Sequence, residues 1–480
     1  MYKIDFVKNI LLENSNLSDE KLHAILNATL NDNINFSDLY FQYIYKEFWY
    51  LENGIIKNSY FNIDKGVGIR TFNKNSIGFS YSDKISEYNL YKIAQESKNI
   101  NNYNYSNKKA KIWKKINKQQ NLYFHNNPLL SINYDDKINL LKSIESEAKK
   151  QDSRVKKVNC ALFGSYEIIL IISTDGTFSY DIRPLVKLNI TVSAEKKGSY
   201  EISNYGKGGR KTYDMFLKNN KWKKYTKETV RQAILNLYSQ KAPVGEMPVI
   251  LGPGNPGILI HETVGHGLEY DFNKKKLSIF HNKINTKVAT KLCTIVDNAT
   301  LSNKSGSINI DDEGTKTQCT ILIKNGILKS YLQDKFNANI TNSKLTGNAR
   351  RESYAHLPIP RMTNTYLLPG KSSHQDIINS VDHGIYIANL SNGKIDITSD
   401  KFIFNTIEAY YIKNGKIKYP IKTIMLIENN FDILKKIIMV GNNLKMDNGI
   451  GICSKNDQNI PICVGQPTLL INKITVGGLK

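Results

Sequence analysis

Apolar residues at helical spacing mark three helices in the first half of the chain. Ser18 is a candidate N-cap, because a serine side chain before the first turn can accept a hydrogen bond from a free backbone N–H group. The apolar positions that follow the 3.6-residue period are Leu22, Ile25 and Leu26, then Leu141, Ile144 and Ala148, then Val230, Ala233, Ile234 and Leu237. Each set predicts a helix with one buried face.

Strict alternation of apolar and polar residues predicts strands between these helices. The clearest run has apolar residues at Val186, Leu188, Ile190, Val192 and Ala194, with polar residues between them. A period of two places every second side chain on the same face, so this segment is a half-buried strand. Asn53-Gly54 joins two further β-rich runs, and Asn-Gly is the strongest short hairpin signal.

The second half of the chain has a different pattern. A stretch rich in proline and glycine, from Pro243 to Gly257, separates it from the first half. Beyond that stretch, Asn-Gly pairs recur at Asn325-Gly326, Asn392-Gly393 and Asn414-Gly415, each between β-branched runs. Repeated hairpins predict a mainly antiparallel, barrel-like β domain.

These patterns together predict an α+β protein of two domains. We expect residues 1–235 to form an N-terminal α/β domain with hairpins and flanking helices, serving substrate or partner contacts. We expect residues 236–480 to form the C-terminal β-rich domain that carries a metal-binding helix.

The composition gives the chain a strong positive charge but does not identify a binding partner. The 480 residues carry 66 Lys and Arg against 43 Asp and Glu, a formal charge of +23. Such an excess can mark a nucleic-acid-binding protein. Only eight of the basic residues are Arg, however, and Lys, Asn, Ile and Tyr are abundant together throughout the chain. We interpret the charge as a global composition bias and do not expect a nucleic-acid partner.

The chain shows neither a membrane span nor a disulfide framework. No apolar run reaches the ~20 residues that a spanning helix needs, and residues 1–15 lack the apolar core of a secretory signal. The five cysteines are widely spaced, at Cys160, Cys293, Cys319, Cys453 and Cys463. We therefore expect a reduced, cytoplasmic protein, with Cys160, Cys293, Cys319 and Cys463 in apolar runs that are typical of a core.

One short motif carries candidate chemistry, His261-Glu262-Thr263-Val264-Gly265-His266. Two histidines around a glutamate are typical of metallohydrolases, in which the imidazoles bind zinc and the glutamate acts as a general base on water. Here the histidines are five residues apart, which is about 140° around an ideal helix. A single ion therefore requires a π-bulge or an early helix end, either of which Gly265 and Gly267 would tolerate.

A catalytic zinc site usually has a third protein ligand. The residues alone leave several candidates open, namely Glu269, Asp271, Cys453 and Cys463. Cys453 follows the glycine-rich run Asp447 to Ile452, where a flexible loop could reach across the fold.

A second dense segment, from Gly347 to Thr365, holds three of the eight arginines together with Tyr354 and His356. Arginine is well suited to bidentate contacts with carboxylates, so Tyr354, His356 and Arg361 are candidates for binding the substrate. A salt-bridged structural loop is an equally good interpretation.

These segments resemble the TldD/PmbA family, on the branch that carries the metal motif. The resemblance rests on His261-Glu262, residues 265–269, 309–315, 350–365, 446–453 and 465–468, and it extends over nearly the whole chain. It implies a metalloprotease that binds one zinc ion through His261, His266 and Cys453, with Glu262 as the general base.

The resemblance also implies a partner and a substrate class. Family members pair with a related TldE (PmbA) subunit that lacks the metal motif, and unfolded or small peptides enter the heterodimer as extended strands. An older label connects the family with modulation of DNA gyrase. The alternative function is therefore a noncatalytic peptide-binding or scaffold subunit that acts on gyrase or nucleic acid.

Overall fold

The computed structural model describes residues 2–13, 15–98, 109–113, 120–391, 393–396, 401–429 and 432–478. The helices are α1 (Tyr2–Leu12), α2 (Asp19–Thr29), α3 (Glu87–Lys98), α4 (Tyr134–Gln151), α5 (Asp214–Leu217), α6 (Lys221–Leu237), α7 (Ile258–Ile260), α8 (Tyr270–Lys274), α9 (Lys335–Thr341) and α10 (His374–Asn379). Within these described residues, no helix combines the length and the apolar character needed to span a membrane.

The first half of the chain is built on one antiparallel sheet of six long strands. They are β1 (Phe36–Glu52), β2 (Ile55–Phe72), β3 (Ile77–Ser82), β4 (Val155–Ser173), β5 (Phe178–Lys196) and β6 (Ser199–Gly209). Their order across the sheet is β3-β2-β1-β4-β5-β6. Asn53-Gly54 forms the turn between β1 and β2, as the sequence predicts.

The two faces of this sheet differ in chemistry because successive side chains alternate between them. One face is apolar and packs against α1 to α4 and α6, with residues such as Leu39, Ile168 and Leu188 in its cores. The opposite face carries polar groups, including Asp38, Arg70 and Arg183, and is buried against the second half of the chain.

The second half is rich in short strands. They are β7 (Gly245–Leu251), β8 (Ile295–Asn298), β9 (Cys319–Lys324), β10 (Ile327–Leu328), β11 (Ala349–Arg350), β12 (Ile359–Pro360), β13 (Asn364–Leu367), β14 (His383–Leu390), β15 (Lys394–Asp396), β16 (Lys401–Lys413), β17 (Lys416–Ile421), β18 (Ile424–Asn429), β19 (Ile437–Val440), β20 (Lys445–Met446), β21 (Ile452–Lys455), β22 (Gln458–Pro461), β23 (Cys463–Gln466) and β24 (Leu469–Gly478).

Five of these strands close into a barrel. The order β14-β7-β24-β18-β16 returns to its start through the pairing of β14 with β16. All of these pairings are antiparallel except β14 with β7. A second sheet, β10-β9-β8-β13-β23-β20, lies beside the barrel, and β21 and β22 form a separate hairpin. The predicted α+β class with a mainly antiparallel, barrel-like second half is thus confirmed.

Local signals in the sequence match the structure in most places. The Ser18 side chain accepts a hydrogen bond from the backbone N–H of Lys21 and caps α2. Turns form at Asn325-Gly326 and Asn414-Gly415, whereas Asn392 lies outside the described residues. The domain boundary at residues 235 and 236 stays a prediction.

The core assignment of Cys319 was wrong. Cys160, Cys293 and Cys463 are buried, but Cys319 is exposed. It is the first residue of β9, whose side chains alternate outward and inward from that position. An apolar run of this length does not reveal which face of a strand is buried.

Candidate metal centre

The histidine motif follows the first barrel strand directly. After β7, the chain turns at residues 252–257 and enters α7, which continues into a π-helical turn at His261–Gly265 and a 3-10 turn at His266–Leu268. Leu259, Ile260 and Val264 are buried in the largest apolar core. Burial of this apolar side fixes the rotation of the segment and leaves His261, Glu262 and His266 on the other side.

The π-turn resolves the spacing of the two histidines. The backbone N–H of His266 donates to the carbonyl of His261, which is the hydrogen bond of a π-turn. The two imidazole rings lie 5.1 Å apart between their centroids. Gly265 lets the side chain of Met362 pack directly against this turn, since a Cβ atom at position 265 would lie 1.8 Å from the sulfur of Met362.

Cys453 joins the two histidines from a distant part of the sequence. It lies on β21, and its Sγ is 3.4 Å from Nε2 of His266. The candidate ligand atoms of His261, His266 and Cys453 all lie within 4.8 Å of one another. In the described part of the chain, no other group of three or more His, Cys, Asp or Glu residues is close enough to hold a metal ion.

The electrostatics of the cluster favour a thiolate. Burial alone would raise the pKa of Cys453, but His261 and His266 lower it to about 4. A thiolate is the form of cysteine that binds metal ions. Burial would likewise lower the pKa of His266, but Glu269 and Cys453 raise it well above its usual value. A metal ion held at this site would compete with a proton for His266.

A network of buried charges orients His266. Its Nδ1 lies 2.9 Å from Oε2 of Glu269, so the opposite nitrogen, Nε2, faces Cys453. Glu269 is fully buried and also accepts from Nζ of Lys455 at 2.9 Å, while Lys455 contacts Asp271 at 2.8 Å. Burial would raise the pKa of Glu269, but Lys455 and His266 hold it at about 2. Partners of this kind fix the ring orientation of a metal ligand.

Arg361 contacts the backbone of the hairpin that carries Cys453. Its side chain is completely buried, and it donates to the carbonyl of Cys453 at 2.7 Å and to that of Gln458 at 3.3 Å. These contacts fit a positioning role for Arg361, whereas its predicted role in substrate binding stays a prediction.

The other predicted residues lie in three different settings. Glu262 stands next to the cluster, with its Oε2 4.0 Å from Nε2 of His266 and its side chain 22% exposed. Tyr354 packs on the polar face of the first sheet and donates to Asp64. Nδ1 of His356 lies 2.8 Å from Oγ of Ser353. The roles of Tyr354 and His356 in substrate binding stay predictions.

The donor set fits a zinc ion. Two imidazoles and a thiolate are ligands that zinc prefers. The candidate ligand atoms of the three residues lie within 4.8 Å of one another, which is close enough for them to share one ion.

Sequence reasoning missed Lys455 and considered Glu269 only as a metal ligand. A signal was present for both. Glu269 follows His266 by three residues, which places it within reach of the same turn. Lys455 follows Cys453 by two residues and therefore shares its face of the strand.

Matches to known proteins extend over nearly the whole chain. Three family models match, described as PmbA/TldA metallopeptidase domain 1 at residues 37–100, the central domain at 127–237 and the C-terminal domain at 244–478. A metalloprotease TldD homolog of Buchnera aphidicola subsp. Schizaphis graminum is 48% identical, with 99% of each chain covered. One from Haemophilus influenzae is 47% identical over 98% of this chain and 99% of its own length.

More distant proteins extend the comparison. A zinc metalloprotease TldD homolog of Saccharolobus solfataricus is 26% identical over 87% of this chain and 90% of its own length. A Thermotoga maritima structure, described as a proposed modulator of a DNA gyrase, has a TM-score of 0.78 at 18% identity, covering 95% of this chain and 99% of that one. TldE from Thermococcus kodakarensis has a TM-score of 0.74 at 16% identity, covering 96% and 99%. Both structures share the fold of this chain.

Proposed function

The chain belongs to the PmbA/TldD metallopeptidase family, and from this premise we propose that it is a zinc-dependent peptidase that hydrolyses unfolded or small peptides. The observation that carries the proposal is the convergence of His261, His266 and Cys453 within 4.8 Å, with Glu262 beside them. A binding subunit without catalysis has no need of this complete set.

Each residue has a distinct part in the reaction. His261, His266 and Cys453 hold one zinc ion, which would supply Lewis-acid activation of water and of the peptide carbonyl. Glu262 accepts the proton of the attacking water and delivers it to the leaving amine. Its partial exposure leaves the carboxylate accessible from the substrate side. Glu269 holds the ring of His266, and Arg361 holds the hairpin strand of Cys453.

We further propose that a TldE-type subunit is the partner. The fold shared with TldE from Thermococcus kodakarensis supports this, since the two chains match over nearly their full lengths. A complex of two chains with one fold would place related surfaces against each other.

The test separates metal binding from catalysis. We expect about one zinc ion per chain in the purified protein, loss of that zinc in Cys453→Ala, and its retention in Cys293→Ala, where an equally buried cysteine lies outside the cluster. Glu262→Gln should keep the zinc but lose about a thousandfold in peptide cleavage, because a general base contributes on that scale.

Two results would contradict the proposal. A folded wild-type chain that takes up no zinc would remove the metal site. Unchanged cleavage in zinc-loaded Glu262→Gln would remove the general base. The first result would make the noncatalytic binding subunit, acting on peptide, gyrase or nucleic acid, the leading function, whereas the second would leave a peptidase that uses another base.

A further inference from the structure

A cavity of about 370 Å³ lies on the polar face of the first sheet. Alternate residues of β1, β4 and β5 form one wall, among them Lys46, Phe163 and Lys187. The hairpin of β21 and β22 forms the opposite wall. The lining extends from the exposed side chains of Tyr60 and Ile452 to deeply buried ones, so the cavity has an open end and a closed end.

The closed end is lined by cations that lack acidic partners. Arg210, Lys187 and Arg350 are each less than a tenth exposed, and within the described ranges no carboxylate lies within ion-pair distance of them. The acceptors of their side-chain hydrogen bonds are backbone carbonyl oxygens. Arg210 donates to Pro184 at 3.5 Å, Lys187 to Ile450 at 3.2 Å and Arg350 to Met362 at 2.9 Å. Nε of Arg210 has no hydrogen-bond partner among the described residues.

The acidic groups of the same cavity are already engaged. Asp312 pairs with Arg183 at 2.7 Å and accepts from the backbone N–H of Arg351 at 2.8 Å. Glu167 accepts from Gln42 at 2.6 Å and lies 3.7 Å from Arg183. The third carboxylate of the lining, Glu352, accepts from the backbone N–H of Asn459 at 2.7 Å. None of the three carboxylates forms an ion pair with Arg210, Lys187 or Arg350 in the described part of the chain.

Buried charge without a counter-charge is costly. Burial lowers the pKa of Lys187 to about 8 and that of Arg350 to about 9, and it also lowers the pKa of Arg210. The opposite sign of shift at Arg183, whose pKa Asp312 and Glu167 raise, shows what compensation does in the same cavity. An anion entering the closed end would supply that compensation, and Arg and Lys are the usual partners of carboxylates.

The remaining walls suit an apolar body attached to that anion. Phe48, Phe163, Leu185 and Ile452 supply the apolar part of the lining. A pocket that combines apolar walls with a few convergent polar groups is typical of a small-ligand or peptide subsite.

The cavity and the metal centre share the hairpin of β21 and β22. Ile460, which lines it, pairs directly with Cys453 across the hairpin. Ile452, the residue before Cys453, lines it as well. Because successive side chains of a strand alternate between its faces, Ile452 lies on the opposite face of the hairpin from Cys453, and the hairpin borders both the cavity and the cluster.

We propose that this cavity is a carboxylate subsite, in which Arg210, Lys187 and Arg350 bind a carboxylate of the substrate peptide, that of its C-terminus or of an acidic side chain. The inference rests on the proposed peptidase function, because it assigns a substrate feature to the same site. It makes the chain selective for peptides that place a negative charge on one side of the scissile bond.

The experiment measures binding rather than cleavage. The full-length, zinc-loaded Glu262→Gln variant serves as the parent, and fluorescence anisotropy gives the dissociation constants of three labelled hexapeptides of alanine and leucine. One ends in a free carboxylate, one ends in an amide, and the third ends in an amide but contains a glutamate. We expect the free carboxylate to bind about tenfold or more tightly than the plain amide. Tight binding of the glutamate peptide instead would keep the site and assign it to an acidic side chain.

Variants locate the effect in the cavity. Arg210→Gln should remove the preference for carboxylate, and Arg154→Gln, the same change at a partly exposed arginine paired with Asp152, should retain it. Lys187→Gln provides a second test if Arg210→Gln does not fold. Equal binding of all three peptides, or no binding at millimolar concentration, would overturn the proposal. A preference that survives both cavity substitutions would also overturn it. None of these outcomes depends on cleavage, so a failed peptidase proposal remains distinguishable.

Discussion

The hairpin of β21 and β22 borders two buried polar regions that handle charge in opposite ways. Around the metal cluster, His266, Glu269, Lys455 and Asp271 alternate in sign, and the contacts between them are 2.8 to 2.9 Å. At the closed end of the cavity, Arg210, Lys187 and Arg350 share one sign, and their hydrogen bonds go to carbonyl oxygens. Arg210 also lies over the ring of Tyr123.

The difference is consistent with the role that we propose for each region. A balanced network satisfies its own charges and holds side chains in place, which suits residues that orient a metal ligand. An unbalanced cluster holds charge that the folded chain leaves unpaired, and natural proteins retain such costs chiefly at functional sites. Substitutions in the two regions should therefore have opposite effects on stability.

The largest effect is expected where the balance is broken. Glu269→Gln leaves the buried Lys455 with one acidic partner, the partly exposed Asp271. It should destabilise the chain by about 3 kcal/mol. It should also weaken zinc binding about ten- to a hundredfold, because Nδ1 of His266 loses its charged partner. Urea unfolding and zinc titration measure the two effects. Glu228→Gln, on an exposed helix pair with Arg231, is the matched control and should change stability by less than about 0.5 kcal/mol. A loss below about 1 kcal/mol for Glu269→Gln would show that the network is not what holds this region.

A pair of arginines inside the cavity sharpens the contrast. Arg183→Met removes the partner of Asp312 and Asp181 and should cost about 3 kcal/mol, since it leaves buried carboxylates unpaired. Arg210→Met removes a cation without a carboxylate partner and should be neutral or stabilising by about 1 kcal/mol. Chemical denaturation of both variants at one pH measures the difference. Equal destabilisation by the two substitutions would mean that Arg210 is compensated within the folded chain.

The smallest effect is a pH dependence at Lys187. Burial lowers its pKa to about 8, with Arg210 lowering it further and Cys463 and Asp447 opposing, against about 10.4 in the unfolded chain. Between these values the unfolded chain binds more protons, so the contribution of Lys187 to stability rises with pH. The wild type should therefore gain about 1 kcal/mol over Lys187→Met between pH 7 and pH 9. Parallel denaturation curves at the two pH values measure this gain, and a constant or falling difference would contradict it.

Most of the fold could be predicted from local patterns. Alternation from Val186 to Ala194 identified β5, and Asn-Gly pairs identified three of the hairpin turns that the structure describes. The barrel could not be read in this way, since it depends on the pairing of β7 with β14 and β24, which are far from β7 in the sequence. The exposure of Cys319 escaped prediction because a short apolar run does not show which face of the strand is buried.

The metal motif was also local, but its completion was not. His261, Glu262 and His266 lie within one π-turn, and their uneven spacing already required that turn. The sequence also concentrated its scarce arginines where guanidinium geometry matters. Six of the eight arginines are buried, all of them where the two halves of the chain meet or behind the metal cluster: Arg70, Arg183, Arg210, Arg350, Arg351 and Arg361.

The sequence by itself determined which chemical groups were present and how each short segment would fold, because periodicity and turn chemistry act over a few residues. Only the tertiary structure decided which groups meet. It brought Cys453 to His266 across 187 positions and placed Arg210, Lys187 and Arg350 around one cavity, where none of them has an ion-pair partner among the described residues. Such convergence depends on sheet register and on the packing of distant segments, which no local pattern encodes.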